Sequence, residues 1–179
     1  GPTQGIVGMR LTADGVPVKW DRDPVDMFSF GIMVPARTSS IVVDLDFAAS
    51  AGQFTAGRSA DPNLAVISWN ALLLYPKGRS GEDIVVNPTL RIPDGWRYAT
   101  PLPVDQASGS QIRFKPASLP ALIDAPIQID SPLRVVPLMA AAGLPHEIDL
   151  LSDSEAAMVT PAAFVPKHNI LMPQADPVF

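Results

Sequence analysis

The sequence predicts an all-β fold: an antiparallel, β-sandwich-like domain with a short, partly helical C-terminal tail. Three observations lead there. Apolar and polar residues alternate at period 2, most clearly from Ser40 to Phe47, where Ile41, Val43, Leu45 and Phe47 share one face and Asp44 and Asp46 the other. The apolar runs are short and end at turn residues such as Ala13-Asp14-Gly15 and Pro93-Asp94-Gly95. Twenty prolines are spread through 179 residues, and that density disfavours long helices and favours strands with abrupt ends.

Taken in order, Ile6 to Thr12 reads as a strand, Asp14-Gly15 as a hairpin turn, and Val16 to Trp20 as the returning strand. Asp21 to Pro24 is a polar corner. Met27 to Val34 alternates, and Pro35 to Thr38 turns the chain towards the strand Ser40 to Phe47. Ala48 to Asn63 is longer than a hairpin connection and reads as a surface excursion or functional loop. The centre of the chain, Leu64 to Val104, reads as three consecutive strands forming a meander. Leu64 to Tyr75 is nearly unbroken apolar, as expected of a strand covered on both faces. Ile84 to Ile92 alternates, with Val86, Leu90 and Ile92 inward, and Trp96 to Ala99 starts the third strand.

Beyond it, Asp105 to Ser110 reads as a turn and Gln111 to Lys115 as a strand burying Ile112 and Phe114. Ser118 caps a single helical turn to Ile123, with Pro120 tolerated in that first turn. Leu133 to Leu138 and His146 to Leu151 are two further strands. The texture then changes. Ser152 and Glu155 have capping-box spacing, and Thr160-Pro161 is a second helix start, for a helix over Ala162 to Ala175 that Pro166, Pro173 and Pro177 interrupt. Residues 1–151 therefore read as a β domain, and 152–179 as a partly helical tail that leaves it.

Composition narrows the function. The net charge is −5 and no basic stripe is present, which argues against nucleic acid and against an anionic membrane surface. No apolar run is long enough to insert as a spanning helix. Gly1 to Gly5 has neither a charged n-region nor an apolar h-region, so no signal peptide is expected there. The absence of cysteine removes disulfides, thiolate metal sites and cysteine nucleophiles together.

Candidate chemistry is sparse. His146-Glu147 starts like a zinc-binding H-E-x-x-H, but the fourth following residue is Leu150, so His146 reads as a strand-edge residue. His168 has no second histidine nearby. The carboxylate pairs Asp21/Asp23, Asp44/Asp46 and Glu82/Asp83 read as solvated faces. Gly57-Arg58-Ser59-Ala60-Asp61 lacks the second glycine of a nucleophile elbow. Trp20, Trp69 and Trp96 read as core before they read as a sugar platform. Three residues stand out as candidates for a domain interface or the wall of a substrate cleft: Trp69, Asn70 and Asp124. Asn70 places an amide in an apolar run and needs partners. Asp124 sits before a Pro-bounded turn, where an aspartate ordinarily caps backbone N–H groups.

Four blocks carry a family resemblance: ADGVPVKWDRDPVDMFSFGIMVP, SADPNLAVISWNALLLYPKG, LRIPDGWRYATPLP and FKPASLPALIDAPIQ. Together, from Ala13 to Gln128, they resemble the N-terminal β domain of the glycyl aminopeptidase family of zinc metallopeptidases. HEIDLLSDSEAAMVTPAAF looks like that family's run-in to its catalytic domain. The resemblance implies that the zinc ligands and the glutamate base lie downstream, in a thermolysin-like domain followed by a PDZ-like one. It implies further that this chain is a piece of a longer enzyme, with β-strands of its domain upstream of Gly1. No catalytic residue and no cofactor are expected in this chain, and zinc is expected in the catalytic domain. The expected partner is the catalytic domain of the same polypeptide, with peptide substrate touched at most indirectly. Export to the periplasm or medium of a bacterium is implied by the resemblance alone. The other reading is a free-standing β-sandwich module that binds peptide or carbohydrate, since architecture alone does not separate the two.

Overall fold

The structure is a computed structural model that describes residues 5–48, 59, 60, 62–139, 145–152 and 154–175. It is all-β and antiparallel with short helices, as expected. The described residues fall into two units. One holds residues 5–48 and 70–75, and the other holds the remaining described residues from Ser59 to Trp69 and from Pro76 onwards.

The first unit contains β1 (Ile6–Ala13), β2 (Val16–Val18), β3 (Trp20–Arg22), β4 (Phe30–Ile32) and β5 (Ile41–Phe47). Strand β1 lies between β2 and β5, and β3 pairs with β4. The predicted hairpin is present, with Ala13 opposite Val16. Asp14 and Gly15 both have positive φ, 46° and 82°, which is why a short polar residue and a glycine occupy the turn. Across the sheet, Asp14 accepts from the backbone N–H groups of Ser39 and Ser40 and from both serine hydroxyls, at 2.7–3.3 Å. This holds the approach to β5 against the hairpin. The β1–β5 register shifts between Val7 and Arg10. Gly8, at φ 62°, makes that bulge, and a Cβ there would lie 2.9 Å from the Asp46 carboxylate. In β5 the predicted faces hold, with Val43, Leu45 and Phe47 partly buried and Asp44 and Asp46 exposed, but Ile41 at the strand's end is exposed. The run Val16–Trp20 divides at Lys19, because β3 leaves to pair with β4. Only Phe30–Ile32 of the predicted Met27–Val34 strand is extended.

The second unit contains β6 (Ser59–Ala60), β7 (Leu64–Ile67), β8 (Val85–Val86), β9 (Thr89–Arg91), β10 (Arg97–Ala99), β11 (Val104–Ser108), β12 (Gln111–Phe114), β13 (Ala117–Ser118), α1 (Leu119–Ile123), β14 (Ile127–Asp130), β15 (Arg134–Pro137), β16 (Glu147–Leu150) and α2 (Phe164–Ala175). One sheet runs β10-β14-β7-β6 and another β11-β12-β9. Their side chains share a core. Ile112 and Phe114 of β12 are 1% and 2% exposed, and Leu122 of α1 and Ile127 of β14 are fully buried. Each such side chain contributes about 1.5–3 kcal/mol relative to exposure. Tyr98 of β10 meets Phe114 of β12 edge-on, with centroids 6.2 Å apart. Ser118 caps α1 as expected, accepting from the Ala121 N–H. Strands β15 and β16 pair antiparallel from Arg134–Leu150 to Pro137–Glu147.

The central stretch differs from the expectation. Leu64–Tyr75 is not one strand. Strand β7 ends at Ile67, and Trp69–Ala71 is a 3-10 turn. An apolar run by itself does not distinguish a buried strand from a buried turn. Nor are the strands a meander: β7 pairs with β14 and β6, β8 with β13, β9 with β12, and β10 with β14. Asn87-Pro88 divides β8 from β9. Pro88 has no N–H for a ladder, and its carbonyl accepts from Phe114 instead.

Asp105–Ser108 is strand, not turn. Every residue of β11 is exposed, so its composition imitates a loop. The Ser152–Glu155 capping box does not form. The short 3-10 turn Glu155–Met158 starts after Ser154 without a side-chain cap. Helix α2 starts at Phe164 and runs through Pro173; Pro166 falls in its first turn, where N–H groups have no helical partner anyway. The Pro177 interruption and most of the Ala48–Asn63 excursion lie outside the described residues. No described helix is long and apolar enough to cross a membrane.

Candidate functional site

Trp69 is anchored through its ring. Its indole N–H donates to the Ala125 carbonyl at 3.0 Å, across 56 residues of chain. Asp124 closes α1: its backbone N–H donates to the Pro120 carbonyl at 3.0 Å, and the next N–H, of Ala125, donates to Leu122 at 3.1 Å. The fold therefore brings the Trp69 ring to the backbone corner made by Asp124 and Ala125. The buried strand β14 starts at Ile127, one residue after Pro126, so the corner is held between α1 and β14. The Asp124 side chain is exposed. Asn70 lies in the Trp69–Ala71 turn, exposed, and not on a strand as the sequence suggested. The apolar environment that made it conspicuous belongs to its neighbours in sequence, not to its side chain.

Sequence reasoning missed a second group. Asp130, the last residue of β14, is 0% exposed, and its Oδ2 accepts from the Ser152 N–H at 2.9 Å. Opposite it in register is Arg97 of β10, whose guanidinium donates to the Leu133 carbonyl. Asp149 of β16 is half-buried, and its Oδ1 is enclosed without a hydrogen-bond partner. Desolvation pushes its pKa above the usual carboxylate value, against the attraction of Arg97. Arg134 of β15 donates to the Met158 carbonyl at 2.9 Å, and the Met158 side chain is buried. Lower down, the Met139 N–H donates to Asn169 of α2 at 2.7 Å.

These bonds tie Ser152 to β14, Met158 to β15, and Asn169 of α2 to Met139 just past β15. A clue to Asp130 was an acid ending the run Ile127-Gln128-Ile129, but only pairing with β7 and β10 encloses it.

Chemically, this arrangement positions chain. His168 bonds through Nδ1 to the Phe164 carbonyl at 2.8 Å and packs on the Phe164 ring, which is a role inside α2. The His146 carbonyl accepts from Leu138, at the start of the β15–β16 pair. Among the described residues, no three His, Cys, Asp or Glu side chains gather to hold a metal ion. The described residues therefore do not fit a zinc centre. In the first unit, a shallow groove of about 450 Å³ runs along β1 and β2 beside Trp20, whose indole N–H is engaged by the Met9 carbonyl at 3.2 Å.

The sequence profile of the Peptidase M61 N-terminal domain matches residues 1–130. The chain belongs to this family. Its match spans the first unit and the sheets of the second as far as Asp130, the residue that receives Ser152. Among solved structures, the fold is similar to that of an aminopeptidase N family protein from Idiomarina loihiensis, with a TM-score of 0.65 and 18% identity. That likeness covers 84% of this chain and 25% of the other, so the chain spans about a quarter of the length of that relative. No curated protein matches.

Proposed function

We propose that this M61 N-terminal domain is the non-catalytic N-terminal part of a zinc-dependent aminopeptidase with glycyl specificity. It packs on the catalytic domain of the same polypeptide and helps to shape the cleft that receives the peptide's N-terminus. The observation that carries this reading is the family match over residues 1–130. The anchored tail supports it. Asp130 holds Ser152 and Arg134 holds Met158 against the β domain, so a following domain would leave from a fixed point and not from a slack linker. The Trp69–Ala125 bond, which fixes the Asp124 corner, suits a wall that excludes water without reacting.

The test is to read the coding frame past Phe179 and assay the intact product. An H-E-x-x-H motif within about a hundred residues, followed by a glutamate ligand, is expected. The intact protein should then hydrolyse a glycyl-arylamide and lose the activity to a chelator, while residues 1–179 alone stay inactive with added zinc. An unrelated downstream domain, or hydrolysis by 1–179 alone, would overturn it.

A further inference from the structure

We infer that the tip of the β3–β4 hairpin is a prebuilt docking point for the catalytic domain of the same polypeptide. This inference rests on the function proposed above and assigns it a surface. The tip, Asp23–Ser29, is built the opposite way from an ordinary polar loop. Its polar side chains bond to the tip's own backbone and to one another. Asp23 accepts from the N–H groups of Val25 and Asp26, both at 2.8 Å. Asp26 accepts from the Phe28 N–H at 3.1 Å and the Ser29 hydroxyl at 2.6 Å. The Arg22 guanidinium donates twice to the Met27 carbonyl, at 3.0 and 2.8 Å. Two backbone bonds of 2.9 Å, Asp23 to Ser29 and Ser29 to Asp26, close the loop. Behind it, Phe30 packs edge-on against Trp20 with centroids 5.5 Å apart.

What the tip presents outward is apolar: Val25 is 92% exposed, and Met27 and Phe28 are each 55% exposed. Phenylalanine and methionine are the side chains enriched in the cores of interfaces. The loop is already ordered, so docking it costs little conformational entropy. The size of the patch selects the occupant. Three exposed side chains at one hairpin tip fall well short of the roughly 20–30 residues a side that a stable free complex uses. A second copy or a free protein would not be held by this tip. A domain on the same polypeptide is held at high effective concentration, and a small apolar anchor is then enough.

Cysteine labelling tests this, because residues 1–179 contain none. Val25→Cys, Phe28→Cys and, as an exposed control on β11, Ser108→Cys are placed singly in the intact polypeptide, with any downstream cysteine changed to serine. Maleimide labelling at positions 25 and 28 is expected to be at least about tenfold slower than at 108 in the native protein, and equal in denaturant. Equal native rates would overturn the inference. So would protection that rises with protein concentration, which marks a second copy, or that appears only with lipid vesicles. Zinc content and glycyl-arylamide hydrolysis are measured on the same preparations. Their absence sinks the peptidase reading, whereas an active enzyme with a fully reactive tip sinks the docking point alone.

Discussion

Replacing Asp130 tests what holds the C-terminal segment in place. The residue is fully buried, and its Oδ2 receives the Ser152 N–H at 2.9 Å. Asp130→Ala removes the acceptor and leaves that N–H without its partner. The hydrogen bond contributes about 0.5–1.5 kcal/mol net, and a stranded, partly buried donor adds about 1–3 kcal/mol. The expected destabilisation is therefore about 2–4 kcal/mol, a large part of the roughly 5–15 kcal/mol that holds a domain together. Asp130→Asn keeps an oxygen acceptor at that place and should lose about half as much. The assay is urea unfolding with an unchanged slope, paired with amide exchange at Ser152 in the native state. The substitution should speed exchange at Ser152 more than at Ile112, in the core of β12. If Asp130→Ala stays within about 0.5 kcal/mol of the parent and Ser152 exchange does not change, the anchor is not energetic and the reasoning fails.

Three further outcomes are expected. Trp69→Phe keeps a ring but strands the Ala125 carbonyl, and should cost about 1–2 kcal/mol in urea unfolding while speeding amide exchange at Asp124 and Ala125; no change at those amides would count against the corner. Burial raises the Asp149 pKa above 3.8, so its contribution favours the fold at low pH and falls away as pH rises through the folded value; Asp149→Asn should be more stable than the parent at pH 7 and less pH-dependent in the acid range. The Ser39 and Ser40 hydrogen bonds hold Asp14 down to about 2, so its contribution is present above pH 3.8 and is lost as pH falls through about 2; Asp14→Ala should unfold with a flatter acid limb, measured by circular dichroism.

Much of the first unit was legible because its signals are local. Asp14-Gly15 dictates a turn with positive φ whatever surrounds it, and the alternation in β5 assigns faces residue by residue. The Ser118 cap needed only the three residues that follow it. The blocks from Ala13 to Gln128 pointed to a peptidase N-terminal domain, and the family match bears out that much.

What the sequence could not carry was pairing. The strands from Leu64 to Ala99 follow one another in the chain yet lie in three different sheets, because β14, β13 and β12 come from later in the sequence to pair with them. Composition hid β11, since a strand exposed at every residue looks like a turn. The sequence assigned no role to Asp130 or Asp149. Enclosure made one of them an anchor and left the other with a raised pKa, and enclosure is a property of neighbours brought from elsewhere. Local chemistry thus determined the turns, the caps and the family signature. Tertiary structure alone decided strand partners and the burial of charge, because both depend on which distant segments meet.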